Sequence, residues 1–202
     1  MTPDLITPPA ALLIWGLAGY LLGSIPFGIV LARVFGLGDL RSIGSGNIGA
    51  TNVLRTGNKT AAALTLVLDG AKGAAAVLIA RALAGEDAVQ LAGLMAFLGH
   101  CFPVWLRFKG GKGVATFLGL LLAYAFPLGL AACATWLATA LILRISSLSA
   151  LVAAAMAPIW ALLLGRADAT LMLIVLALLV FIRHRPNIQR LLAGQEPKIG
   201  KK

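Results

Sequence analysis

From Val114 to Leu143 the chain runs for thirty residues without a charged side chain, and this stretch limits the possible folds more than any other. As one straight helix it would be about 45 Å long, against a hydrocarbon core of roughly 30 Å. Pro127 stands near its middle, and proline interrupts a helix interior. The stretch therefore reads either as one tilted, kinked helix or as two short ones. The whole chain agrees with a membrane setting: it is 60% hydrophobic and 12% charged, with a mean hydropathy of +0.95. An ordinary soluble domain has about 25% charged residues. Alanine, leucine and glycine are abundant and aromatics sparse, which suits helices packed through small residues rather than a lipid-facing β-barrel.

Other apolar runs supply further spans. Ala10 to Val34 is the first, and it has no Lys or Arg before it, which argues against a cleaved signal peptide and for an outside N-terminus. Near its inner end, Gly23 to Gly28 contains Pro26, where a kink is expected. Thr60 to Ala82 is the second span, interrupted by Asp69 and Lys72, three residues apart on one helical face. Their simplest role is a structural ion pair inside the bundle. After an acidic connection, Leu83 to Ala88, a third span runs from Val89 to Trp105. Beyond Leu143, Arg144 to Ser149 reads as a turn, Leu148 to Leu164 as a span, Gly165 to Asp168 as a turn and Ala169 to Ile182 as the last span.

Three polar segments interrupt this pattern. Leu106 to Thr116, L-R-F-K-G-G-K-G-V-A-T, combines Arg107, Lys109 and Lys112 with Gly110, Gly111 and Gly113. Glycine lets a main chain approach a ligand and aim successive N–H groups at it, so these residue types point to a phosphate. A positively charged cytoplasmic loop is the plainer alternative, but it needs cations and not glycines. The loop is not a Walker A motif: no strand-like run precedes it, and no Ser or Thr follows Lys112 directly. Asp39 to Lys59 places Ser45, Gly46, Asn47, Asn52 and Arg55 within a short polar stretch, which is either a donor cluster or a turn with a capped short helix. The tail opens with R-H-R-P-N-I, Arg183 to Ile188, and includes Glu196.

The three segments share one membrane face only if Val114 to Ile182 crosses an even number of times, which requires a hairpin of short helices split at Pro127. The result is an all-α, seven-span protein with its N-terminus outside and its C-terminus cytoplasmic, a single integral-membrane domain over residues 1–202, with loops 39–59, 106–116 and 183–198 on the cytoplasmic face. The 17 basic residues support this orientation, since Arg81 and Arg166 are the two that fall outside and Lys72 is intramembrane. The same bias accounts for the net charge of +10 without nucleic acid. Cys101 and Cys133 both lie in apolar runs, which leaves no disulfide framework, and His100 beside Cys101 reads as packing rather than a metal site.

A cytoplasmic face carrying Ser45, Asn47, Asn52, Arg55, Lys109, Lys112, Arg183, His184, Arg185 and Asn187 suits a water-soluble phosphorylated substrate meeting a lipidic one. His184 is expected to titrate near neutral pH and to serve as acid, base or hydrogen-bond donor. A basic anchor for lipid headgroups is its plainer role. No Ser-His-Asp set is readable from spacing, so a covalent acyl-enzyme has little support. A transporter for a phosphorylated solute is the rival class, but its outer half should then carry polar residues, and that half is nearly bare. A structural lipid-binding subunit would not need three such clusters.

The motifs G-S-G-N-I-G-A-T-N-V-L-R (Gly44 to Arg55), G-H-C-F-P-V-W-L-R-F-K-G-G-K-G-V-A-T (Gly99 to Thr116) and R-H-R-P-N-I (Arg183 to Ile188) resemble, in order and spacing, those of the bacterial acyl-phosphate:glycerol-3-phosphate acyltransferases. The resemblance spans essentially the whole chain. It implies a seven-helix enzyme of the bacterial cytoplasmic membrane, working without a cofactor or metal. Its partners would be acyl phosphate, glycerol 3-phosphate and membrane lipids, and its products lysophosphatidic acid and phosphate. It also implies active roles for Ser45, Arg55, His184 and Asn187, and glycerol 3-phosphate binding by the glycine loop with Lys109 or Lys112. Glu196 matches the family's structural glutamate.

Overall fold

The computed structural model describes residues 1–200, and helices are the only regular secondary structure among the described residues. The first apolar run is two helices, α1 (Pro9–Gly23) and α2 (Phe27–Val34), separated at Ser24–Pro26. Pro26 has no N–H to continue the ladder, and at this break the carbonyl of Ile25 accepts a hydrogen bond from Lys72 Nζ at 2.7 Å. A short helix, α3 (Ala50–Leu54), precedes the long α4 (Lys59–Leu83), and only Ala84 and Gly85 separate α4 from α5 (Glu86–Cys101). The expected acidic connection is thus shorter than its sequence suggests. Glu86 and Asp87 fill the first turn of α5, where carboxylates meet the positive end of the helix dipole.

The thirty-residue apolar stretch breaks into α6 (Val114–Tyr124) and α7 (Phe126–Leu143). Ala125 takes an extended conformation between them, and Pro127 lies in the first turn of α7, where its missing N–H costs nothing. The two helices pack together at the turn, with Gly129 on the backbone of Leu122. Arg81 closes the free end of α6 by donating to the carbonyls of Ala123 and Tyr124. Then come α8 (Ser146–Leu163), α9 (Thr170–Arg183) and α10 (Arg185–Leu192). Ser146 to Ser149, expected as a turn, opens α8 instead, because serine is well tolerated in a first helical turn, where few N–H groups need a partner.

Five stretches are long and apolar enough to cross a membrane: Pro9–Val34, Lys59–Leu83, Glu86–Leu106, Phe126–Leu143 and Ser146–Leu163. Ala167–Arg183 joined to Arg185–Leu192 makes a sixth if a pair bent by 64° counts as one span, and α6 is shorter, at eleven residues. Buried glycines set how closely the helices approach. On α1, Gly19 and Gly23 lie against the main chain of Ala92 and Ala96 on α5, where any Cβ would collide with a carbonyl. The main core joins α4, α5, α6, α7, α8 and α9 around Phe97, Phe117, Tyr124 and Leu173. Within it, Asp69 and Lys72 form the ion pair expected from their spacing, at 2.8 Å, and both are buried.

Candidate active site

The glycine loop leaves α5 through a tight turn at Val104–Leu106, after which Arg107 and Phe108 adopt left-handed backbone angles unusual for residues with side chains. The N–H groups of Lys109, Gly110 and Gly111 donate to the carbonyls of Leu106, Cys101 and His100. The expectation that these glycines aim their N–H groups at an anion is therefore corrected for Gly110 and Gly111, whose donors are used inside the fold. Their carbonyls face the site instead, and Arg183 donates to Gly111 O at 3.0 Å and to Gly110 O at 2.9 Å. Close packing explains why glycine is required. A Cβ on Gly110 would strike the His100 carbonyl and Pro103, and one on Gly111 would strike the His100 imidazole. Donors free for an anion come from the first turn of α6, whose amides have no partner within the helix.

Lys112, just before that helix, is half-buried and donates to Asn187 Oδ1 at 2.6 Å. Asn187 in turn donates to Glu196 Oε1 at 2.5 Å, and Ser147 donates to the same oxygen at 2.7 Å. Arg190 donates to Glu196 Oε2 at 2.7 Å, so three side chains, one from α8 and two from α10, close on one carboxylate. Burial on its own would raise the pKa of Glu196, but the hydrogen bonds from Ser147, Asn187 and Arg190 outweigh it and hold the pKa below the ordinary value.

His184 joins α9 to α10 and is buried. Its Nδ1 lies 2.8 Å from Val180 O, and only a protonated Nδ1 can donate there, so Nε2 keeps its lone pair. Burial pushes its pKa down to about 4, with the charges of Lys112 and Arg183 acting in the same direction. The expectation that His184 titrates near neutrality is therefore corrected: its ring is neutral across the physiological range.

In the first polar segment, Asn52 is buried and donates to Leu40 O at 2.8 Å, while its Oδ1 accepts the Ser45 N–H at 3.1 Å and the Ser45 hydroxyl at 3.4 Å. Gly44, at φ +54°, gives the Arg55 guanidinium room to lie across the turn. Asn47 is occupied locally, accepting the Ile48 N–H at 2.9 Å. Arg41 reaches across to the glycine loop and donates to Lys109 O at 3.3 Å.

All three segments line one cavity of about 350 Å³, bounded by Arg41, Gly46, Ile48, Phe108, Lys109, Gly110 and Arg183. Ser45, Arg55, Lys112, His184 and Asn187 are not among these walls, and Arg41, Lys109 and Arg183 are the cations that are. Behind them, desolvation, and then repulsion from Arg190, Arg183 and Arg55 against the attraction of Glu196, brings the Lys112 pKa down to about 8. A site that crowds cations in this way favours a multiply charged anion. Arg107 does not line this cavity but a separate groove on the same face. Asp69 and Lys72 lie beneath the loop, with His100 Nδ1 at 3.6 Å from Asp69 Oδ1. Among the described residues, no group of three or more His, Cys, Asp or Glu side chains is placed to hold a metal.

Sequence reasoning missed Ser147, Arg41, Arg190 and His100 as parts of this arrangement. Ser147 had a signal, as a serine beside an arginine at the edge of an apolar run. His100 had only its place ahead of the glycine loop.

Comparison with known proteins agrees with the geometry. A profile of the family described as "Glycerol-3-phosphate acyltransferase" matches residues 13–194. A glycerol-3-phosphate acyltransferase of Ruegeria sp. (strain TM1040) is 69% identical over 202 residues, covering 100% of both chains. One of Jannaschia sp. (strain CCS1) is 67% identical over 201 residues, covering 100% of this chain and 99% of the relative. The crystal structure of PlsY (YgiH), an integral membrane glycerol 3-phosphate acyltransferase, in its glycerol 3-phosphate form superposes with a TM-score of 0.88 at 40% identity, covering 94% of this chain and 96% of that one. The same enzyme in its lysophosphatidic acid form gives 0.85 at 38% identity, with the same coverage. With three glycine-polar segments meeting at one cation-rich cavity and relatives matched along their whole length, this chain belongs to the glycerol-3-phosphate acyltransferase family.

Proposed function

We propose that this protein acylates the 1-hydroxyl of glycerol 3-phosphate with acyl phosphate as donor, giving lysophosphatidic acid and inorganic phosphate. The observation that carries this reading is the shared cavity, in which residues of all three polar segments meet and Arg41, Lys109 and Arg183 supply the cations. Two phosphorylated substrates at one site need more positive charge than one. The relatives are named for glycerol 3-phosphate, and the PlsY structures are of its glycerol 3-phosphate and lysophosphatidic acid forms, which supports the acceptor and the product.

Acyl phosphate is already activated, so the protein's task is to position two substrates and stabilise charge. Lys112, Arg55 and Lys109 hold phosphoryl groups. The first-turn amides of α6 assist, and Gly46, Gly110, Gly111 and Gly113 shape the wall. Ser45 donates a hydrogen bond. Asn187 has one amide hydrogen committed to Glu196 and a second left for substrate. A buried neutral His184 is a weak base, which favours orientation of the hydroxyl through Nε2 over storage of a proton. The hydroxyl oxygen adds to the acyl carbonyl carbon, the new ester bond forms, and the bond to phosphate breaks, with the hydroxyl proton passing to the departing phosphate. No protein nucleophile takes part, and a stable acylated Ser45 on the reaction path would overturn that step.

The membrane arrangement proposed with this activity is seven crossings, with α6 and α7 as a short-helix hairpin, in the bacterial cytoplasmic membrane. The functional test is purified protein in detergent, supplied with acyl phosphate or an acyl thioester. Phosphate release that needs both acyl phosphate and glycerol 3-phosphate is expected, with no acylation from the thioester. Release without glycerol 3-phosphate, or equal acylation from either donor, would defeat the proposal.

A further inference from the structure

A second cavity, of about 760 Å³, shares Arg41 and Lys109 with the candidate site but otherwise has its own walls. Gly46, Ile48, Phe108, Gly110 and Arg183, which wall the first cavity, are not among them. One wall is the end of α2, through Ile29 and Arg33, and the other is the turn after α5, through Trp105 and Arg107. Two membrane-length stretches, Pro9–Val34 and Glu86–Leu106, end at this groove, which puts it at the level where hydrocarbon gives way to water. Four cations face it against one carboxylate, Asp39, whose Oδ1 is occupied by the Arg41 N–H at 2.9 Å. Among the described residues, Arg33, Arg107 and Lys109 enter no ion pair, so their charge is uncompensated.

The apolar part of the groove has the same interfacial character. Trp105 is 57% exposed, yet its indole N–H is satisfied inwardly by Ser24 O at 2.8 Å, so an apolar ring faces outward with no polar requirement left. Ile29 and Ala32 of α2 add to the apolar part of the groove. Cations above and bare apolar side chains below match a phosphodiester head joined to acyl chains. A free anion would have no use for the apolar floor.

We propose that this groove binds the anionic head group of a bilayer phospholipid, beside the candidate substrate site, with which it shares only Arg41 and Lys109. The proposal needs only the membrane setting and survives a different choice of acyl donor. Arg33 and Arg107 supply the selectivity, and Trp105 is the reporter.

The test reconstitutes the full chain in phosphatidylcholine vesicles containing brominated phosphatidylglycerol or, as control, brominated phosphatidylcholine. Trp105 quenching is read as the difference between the protein and its Trp105→Phe variant. Brominated phosphatidylglycerol should quench at mole fractions where the control does not. The Arg33→Gln/Arg107→Gln variant should need about fivefold more of it for each cation removed. Its rate at saturating substrate in neutral vesicles should be unchanged. High salt should weaken the preference of the unaltered protein, a reading independent of any variant. Equal quenching by both lipids, a preference that persists in the double variant or at high salt, or displacement of the lipid by glycerol 3-phosphate or inorganic phosphate would each overturn the proposal.

Discussion

Lys112 sits half-buried beside Arg55, Arg183 and Arg190, with Glu196 the carboxylate that opposes their repulsion. Its pKa is lowered from 10.5 to about 8, so it is charged below that pH and loses its proton as pH rises through it. A dianionic phosphate bound there needs the cation. For kcat/KM with glycerol 3-phosphate, which reports the free enzyme, a descending limb is expected near pH 8, with about a tenfold loss for each further pH unit. In the Lys112→Arg variant the limb should vanish, because guanidinium stays protonated, even though its shape lowers the overall rate. An ascending limb near pH 6 belongs to the second ionisation of the phosphate itself. A pH–rate series on the two proteins checks this, and an unshifted limb in Lys112→Arg would assign it to another group. His184 illustrates what the sequence hides at this scale. Its identity and position were legible, but its neutrality comes from burial by segments distant in the chain.

At the scale of elements, the glycine loop is held from both sides: His100 and Cys101 take its N–H groups, and Arg183, 72 residues away from Gly111, takes its carbonyls. A methyl group on Gly111 meets the His100 ring, so Gly111→Ala should displace the loop and the acceptors of Arg183, lowering turnover by roughly tenfold or more at normal membrane yield. Removing the ring as well, in Gly111→Ala/His100→Ala, should recover part of that loss, a non-additive result expected of groups in direct contact. Steady-state kinetics on the two single variants and the double variant decide the matter. The need for glycine was legible in K-G-G-K-G, but its reason was not, since which atoms a loop turns toward a site depends on partners from another helix. The interruption of the long apolar run was legible for the opposite reason. Proline acts locally, so a break near Pro127 followed from sequence, and packing moved it only to Ala125.

For the whole molecule, the account rests on segments around residues 45, 109 and 185 emerging on one side of the bilayer. The alternation of apolar runs made this arrangement derivable by counting crossings. The count depends on α6, which at eleven residues is too short to be recognised as a span by length. The most direct measurement labels single-cysteine variants with a membrane-impermeant maleimide, after replacing Cys101 and Cys133. Ser45→Cys, Lys109→Cys and Arg185→Cys, all at exposed positions, are compared in sealed vesicles of both orientations. All three should react from the cytoplasmic side only, while Gly165→Cys reacts from the other. Labelling of Lys109→Cys and Arg185→Cys from opposite sides would contradict a shared site.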